Sequence, residues 1–190
     1  YATKSYLKAK NEEAYSNVFT VHYPDEEREA GRPLRQAPCY DRLKKLGAVF
    51  GAKFGWERAN FFAKEGEKQI DDWSFRRSKW FKNVESECKN VKNNVGLLDM
   101  TAFGKCRIKG PGAEEFLDKL VANKLPKKIG RINLCHALNT KGGVHSEFTI
   151  MREAGDSFYL VSAGAYQRLD HDWIHKWMPD DGTVQYENLT

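Results

Sequence analysis

His171 and His175 stand four residues apart with Asp172 between them, the pattern in this chain that most resembles a metal site. On a helix that spacing puts both rings on one face, as zinc-binding helices do. No glutamate completes a protease motif and no third ligand is evident, so the pair reads as surface histidines and no metal is expected. Cys39, Cys88, Cys106 and Cys135 occur singly, without a CxxC pair or a secretory signal. Reduced thiols in a cytosol-like compartment follow, and structural zinc, which needs closely spaced ligand pairs, does not. Neither Cys88 nor the Cys135-His136 pair shows an orienting partner, so nucleophilic catalysis has no support. Gly47, Gly51 and Gly55 are spaced like a phosphate loop, yet no Lys-Ser/Thr pair and no apolar helix follows. Residues 47–62 are therefore expected to be an irregular aromatic segment packed on another surface.

Charge narrows the partners. The chain has 190 residues, 31 Lys+Arg against 26 Asp+Glu, and a formal charge of +5. All of that surplus lies between Lys82 and Arg131, where eleven basic residues face six acidic ones. Lys124, Lys127, Lys128 and Arg131 bunch around Pro126, as a solvated loop or a patch for an anion. No aromatic side chain interleaves with them, so nucleic acid is not an expected partner. No apolar run approaches the roughly 18 residues of a membrane span, so no membrane partner is expected either. With 41% hydrophobic and 13% aromatic residues the chain can bury a core. It opens on Tyr1 rather than Met, as a processed or excised chain would.

The elements that must position any site are uneven along the chain. Residues 1–40 are polar and turn-rich, broken by Tyr23-Pro24, Gly31-Arg32-Pro33 and Ala37-Pro38, and read as a linker or wrapping segment. A short helix is expected at 40–46. From Trp80 the order sharpens. Trp80, Val84, Cys88, Val91 and Val95 form a helical stripe stopped by Gly96. An extended segment is expected from Leu97, a strand at 105–109, and a helix after Gly110-Pro111-Gly112 that buries Phe116, Leu117, Leu120 and Val121. A strand at 131–138 leads through an Asn139–Gly143 hairpin turn to a strand carrying Val144, Phe148 and Ile150 on one parity. Another strand covers 157–162. A helix over 164–178 presents Leu169, Trp173, Ile174 and Trp177, and a last strand covers 183–187. The order α-β-α-β-β-β-α-β predicts an α+β fold with a mainly antiparallel sheet and interposed helices, preceded by an irregular linker segment.

At this point a resemblance enters. Val95-Gly96-Leu97-Leu98-Asp99-Met100-Thr101-Ala102-Phe103-Gly104-Lys105 resembles the opening signature of the aminomethyltransferase (glycine-cleavage T-protein) fold. Gly110-Pro111-Gly112-Ala113, Asn123, Leu138-Asn139, Gly142-Gly143-Val144 and Leu160-Val161 follow in that family's order. Upstream, Gly47-Ala48-Val49-Phe50-Gly51 and Gly55-Trp56-Glu57-Arg58-Ala59-Asn60-Phe61-Phe62-Ala63 resemble the junction in the sarcosine/dimethylglycine dehydrogenase family, although that family usually has Pro at the place of Ala59. The resemblance implies that residues 1–79 are the end of a central oxidoreductase domain with its junction, and 80–190 the first part of a folate-binding domain. The chain then looks like an internal fragment.

The activity so implied is FAD-dependent oxidation of an N-methyl amine, sarcosine or dimethylglycine-like, to an iminium. Tetrahydrofolate then captures the released one-carbon unit. No G-x-G-x-x-G opens a βαβ unit, so FAD is expected to sit outside this chain. Folate, the amine and an electron acceptor, oxygen or a carrier protein, are the implied partners. The implied location is the cytoplasm, or the mitochondrial matrix if the source is eukaryotic. Where T-proteins carry two aspartates after the Gly-Gly hairpin, this chain has Ser146 and Glu147. Glu147 becomes the candidate catalytic base or pterin anchor; without the family it reads as an exposed strand residue. Phe103 falls where T-proteins place a Met against the pterin, and otherwise reads as core. Asp99 lies in the signature stretch but suits a cap or turn. Ser162, where the family has Asn, and Tyr166 could line the folate cavity or serve capping and packing. With Ser146 in place of Asp, the alternative is an aminomethyltransferase-like, non-catalytic regulatory or binding module.

Overall fold

The computed structural model describes residues 3–190. Contacts divide the chain into two compact units that meet at Thr101/Ala102, each with its own sheet.

In the first unit, α1 (Lys4–Ser16) starts at Thr3, whose side chain accepts a hydrogen bond from the Tyr6 amide. The prolines that suggested an unbroken irregular stretch all lie at or beyond Pro24, so nothing interrupts this run of Lys, Ala and Glu. It buries no residue, which is why it left no apolar stripe to read. A short α2 (Tyr40–Lys45) falls where expected. The stretch expected to be irregular is instead an antiparallel hairpin, β1 (Ala48–Lys53) and β2 (Trp56–Phe62). Its two-residue turn is Phe54-Gly55, both at positive φ, +53° and +83°. Such turns match the twist of paired strands but normally use Asn-Gly, so a Phe-Gly turn is hard to recognise. Glu57, on β2, is buried and receives a two-point bond from Arg32, at 3.0 Å and 2.7 Å. That pairing ties the Pro-rich segment to the hairpin and, with a shared bond as its main cause, raises the Arg32 pKa. α3 (Trp80–Asn93) packs Trp80 and Val84 on Val49, Phe61 and Ala63. The rest of its stripe, Cys88, Val91 and Val95, is exposed. The expected extended segment at Leu97 has no strand partner.

The second unit is α+β. β3 (Gly104–Lys109), α4 (Ala113–Leu120), β4 (Ile132–Leu138), β5 (Val144–Ala154), β6 (Ser157–Ser162), a 3₁₀ turn (Gly164–Tyr166), α5 (Gln167–Trp177) and β7 (Gln185–Asn188) follow in the expected order. The five strands form one antiparallel sheet in the order β4-β5-β6-β3-β7. Alternation sends Ile108, Phe148, Ile150, Phe158 and Leu160 to one face, where α4 adds Phe116, Leu117 and Leu120 and α5 adds Ile174. The expected stripe on α5 is rotated. Leu169 and Trp177 stay largely exposed, and the buried positions are Ile174 and, unexpectedly, Asp170. Arg152 is also buried on this face. It donates to the carbonyls of Pro126 and Gly155 and to Glu114, and its guanidinium lies over Phe158. This pins Leu125 and Pro126 inside while Lys124, Lys127, Lys128 and Arg131 remain in solvent. Among the described residues no helix is long and apolar enough to cross a membrane.

Candidate functional site

The sheet of the second unit has helices on one face and a partly open face opposite. Period-two alternation therefore decides which side chains can meet a ligand. Ser146 and Glu147 are neighbours on β5 and point to opposite faces. Ser146 is buried on the helix side, where its hydroxyl lies 2.6 Å from Asp170 Oδ1. Glu147 is on the open side, with its side chain 60% exposed.

Glu147 is not isolated there. The β4–β5 register sets it opposite His136, and the His136 Nε2 lies 3.0 Å from the Glu147 carboxylate. His136 is held from behind by Asn123, whose Oδ1 accepts from the His136 amide at 2.7 Å and lies 3.2 Å from its Nδ1. Both ring nitrogens thus face acceptor oxygens. The line Asn123–His136–Glu147 fixes a carboxylate at a defined place on the open face. Nothing beside His136 in the sequence marks it, because its chain neighbours offer no partner. Counting outward from the Asn139–Gly143 turn would approach the pairing, but a register shift at Ala137/Leu138 moves it by one residue.

The other candidates distribute as follows. Phe103 precedes β3 at the same end of the sheet, about two strand spacings (roughly 10 Å) from β5, and is partly exposed. Ser162 pairs with Gly104 across β6 and β3, and its hydroxyl would stand 2.9 Å from a Cβ placed on that glycine. Tyr166 closes the 3₁₀ turn that follows, with its ring largely exposed. Asp99 belongs to the first unit, and its Oδ1 accepts from the amide and hydroxyl of Thr101 at 2.9 Å and 2.7 Å. That is the turn role its residue type suggests. The structure thus leaves Glu147 on the open face with Phe103 at the same end of the sheet. Ser162, in phase with Phe158 and Leu160 and close to Gln167 of α5, instead faces the helices, Tyr166 sits in the turn that leads into α5, and Ser146 is turned into the core.

Behind the sheet, Ser146 belongs to a buried polar group with Asp170, Cys106 and Tyr186. Burial, helped by the Asp170 charge, pushes the Cys106 thiol up to about 12. Burial likewise raises the Tyr186 phenol above its ordinary range. These groups stay protonated at neutral pH. The His171 and His175 rings stack on each other at 3.9 Å with Tyr186 edge-on to both. Among the described residues no group of three or more His, Cys, Asp or Glu is placed to hold a metal.

Residues 39–190 match the GCVT N-terminal domain, and residues 1–37 match the FAD dependent oxidoreductase central domain. The chain belongs to the GCVT N-terminal domain family. Dimethylglycine dehydrogenase from Homo sapiens, a mitochondrial protein, is 37% identical over the whole chain, which spans 22% of that protein. The mitochondrial pyruvate dehydrogenase phosphatase regulatory subunit of Mus musculus is 30% identical, again over the whole chain and 22% of its own length. The chain therefore spans about a fifth of the curated relatives it matches. The glycine cleavage system aminomethyltransferase T from Bartonella henselae shares the fold, with a TM-score of 0.66 at 24% identity, over 82% of this chain and 38% of that structure. The family so shown agrees with the aminomethyltransferase resemblance and with the antiparallel α+β architecture.

Proposed function

We propose that this chain is part of a flavin-dependent N-methyl amine dehydrogenase, acting on sarcosine or a dimethylglycine-like substrate, and that its GCVT part helps hold tetrahydrofolate. The observation that carries this reading is the succession of two family matches in one chain, oxidoreductase central domain then GCVT domain, with alignment to a dimethylglycine dehydrogenase from end to end. In a eukaryotic source the matrix of the mitochondrion is the proposed compartment. An N-methyl amine and an electron acceptor, oxygen or a carrier protein, are the proposed partners of the whole protein.

The open face fits a folate. A pterin presents a flat ring with a hydrogen-bond donor edge, and the face offers the fixed carboxylate of Glu147 together with the exposed ring of Phe103. When bound, tetrahydrofolate supplies the amine nitrogens that take up a one-carbon unit. Glu147 would accept a hydrogen bond from the donor edge and can hold a proton; His136 and Asn123 keep it in place. FAD does not fit these residues. Both sheets are antiparallel, and neither offers the βαβ crossover on which a dinucleotide pyrophosphate rests.

The test is a fluorescence titration of tetrahydrofolate into the full chain and its variants. Glu147→Gln should weaken binding about tenfold or more, as loss of a charge-assisted bond does. Glu115→Gln, an exposed change on α4, should leave it unaltered. Equal binding by both variants overturns the assignment of Glu147. For the whole protein, flavin absorbance and oxidation of an N-methylated glycine are expected, and a colourless, inert protein overturns the dehydrogenase reading.

A second reading, a non-catalytic regulatory module, is favoured by the burial of Ser146 and by the end-to-end match to a phosphatase regulatory subunit. It requires that neither the chain nor the whole protein bind tetrahydrofolate.

A further inference from the structure

A cavity of about 540 Å³ in the first unit lies between residues 64–70 and the start of α3. Lys64, Lys68, Arg77, Lys79 and Lys82 all line it, and Glu67 is the one carboxylate in the lining. The sequence gives no hint of this imbalance, since Glu65, Asp71 and Asp72 are interspersed among those cations, yet none of the three is in the lining.

The charge is only partly offset, because Glu67 lies in the field of Lys64 and Lys79 and Glu85 in that of Arg77 and Lys82. Lys79 reaches Asp72 at 2.5 Å, but Lys64, Lys68, Arg77 and Lys82 form no ion pair within 4.0 Å among the described residues. Glu67 is already engaged, by the Lys64 amide and by the buried Asn83 side chain, at 2.9 Å and 3.0 Å. These cations are exposed, and five of them against one lining carboxylate leave a net positive field that attracts an anion. The helix adds to this field. α3 begins without a side-chain cap and without an acidic residue in its first turn, so its amide end keeps its partial positive charge. The walls are not purely ionic. Phe61 and Ile70 contribute apolar surface, and the Arg77 guanidinium lies 4.0 Å over the ring of Phe81, a flat cationic shelf.

We infer that this cavity binds a small organic phosphate of nucleotide size, its phosphoryl oxygens among Lys64, Lys68 and Lys82 and its planar part on the Arg77–Phe81 shelf. The volume suits such a ligand and exceeds what an inorganic ion needs. Compact ammonium groups and helix amides suit phosphate oxygens in particular. This site lies wholly in the first unit and is independent of the open face of the second.

The test uses ADP as probe, titrated calorimetrically into the full chain at low ionic strength. Saturable binding is expected, weakening as salt rises. The double variant Lys64→Gln/Lys82→Gln should lose affinity by about tenfold or more, as removal of two phosphate-facing charges requires. Lys119→Gln/Lys141→Gln, an equal loss of charge in the second unit, should change affinity less than about twofold. Circular dichroism checks that both variants fold, and Lys68→Gln replaces the double variant should that one not fold. Pyrophosphate separates the parts of the ligand: weaker binding than ADP supports the shelf. No binding of ADP, equal loss in the control variant, equal binding of pyrophosphate, or equal binding of citrate each overturns the inference.

Discussion

The hydroxyl of Ser146 meets the carboxylate of Asp170 at 2.6 Å, and both side chains are buried between β5 and α5. The T-protein family's pattern would place an aspartate at the serine. Here the acid comes from 24 residues further on, from a helix, and on the side of the sheet away from solvent. The pair therefore belongs to the core of the second unit rather than to its open face.

Removing that hydrogen bond should cost stability rather than ligand affinity. Ser146→Ala leaves a buried carboxylate oxygen without its donor, a loss of about 1–3 kcal/mol. Urea denaturation followed by circular dichroism reads this as a lower midpoint, with tetrahydrofolate affinity unchanged in the folded protein. Weaker folate binding at unaltered stability would place Ser146 at the site after all.

The thiols should react in order of burial. With its thiol pushed up to about 12, Cys106 is almost wholly protonated at pH 8, with a thiolate fraction on the order of 10⁻⁴. Cys135 is buried too, and burial raises its thiol. Cys88 is exposed on α3. Brief iodoacetamide treatment followed by peptide mapping should label Cys88 first and leave Cys106 and Cys135 intact until denaturant is added. Rapid labelling of Cys106 in the native protein would contradict its placement.

On the open face, Arg107 binds Glu153 at 2.6 Å and 3.1 Å and Glu187 at 2.8 Å. The hydrogen bond from Arg107 is the main favourable cause holding the Glu153 pKa below its ordinary value of 4.5. A depressed carboxylate stabilises the fold above its ordinary value, and that contribution is lost as pH falls through the folded one. Stability of the second unit should therefore decline below about pH 4.5. In Arg107→Gln the decline over this window should be shallower. Urea midpoints at several pH values from neutrality downwards, for both proteins, measure the difference.

The hairpin turn of the first unit offers a gain. Phe54 sits at φ +53° with its ring 68% exposed, a conformation asparagine tolerates much better. Phe54→Asn creates Asn-Gly at the same two positions and should stabilise the unit by about 0.5–1 kcal/mol. Differential scanning calorimetry would show a higher midpoint; a lower one would mean that the ring makes contacts worth more than the backbone relief.

The element order from residue 80 onward was legible because each segment of the second unit carries a strong local signal. The Gly-Pro-Gly entry to α4, its four apolar residues, the Asn-Thr-Lys-Gly-Gly turn and the β-branched runs all agree with the sheet they join. α1 and the β1–β2 hairpin were not legible. One buries nothing and so has no periodicity; the other turns on a Phe-Gly pair whose conformation is unusual for phenylalanine. The candidate site was half legible. Residue type and resemblance marked Glu147, but the partner that fixes it, His136, is a cross-strand neighbour whose pairing depends on a bulge.

The sequence by itself determined the family, the antiparallel α+β architecture of the second unit and the acids worth testing, since those rest on local pattern and on ordered motifs. Only the tertiary structure decided which faces these residues occupy. Alternation on β5 separates Ser146 from Glu147, which adjacency in the chain could not reveal. Packing of α5 buries Asp170, although helical periodicity had pointed to its apolar neighbours. The fold around α3 sorts interspersed charges so that five cations surround one cavity. In each case the cause is the same: a side chain's chemistry is set by what is brought against it in space, and that is settled by register and packing rather than by position along the chain.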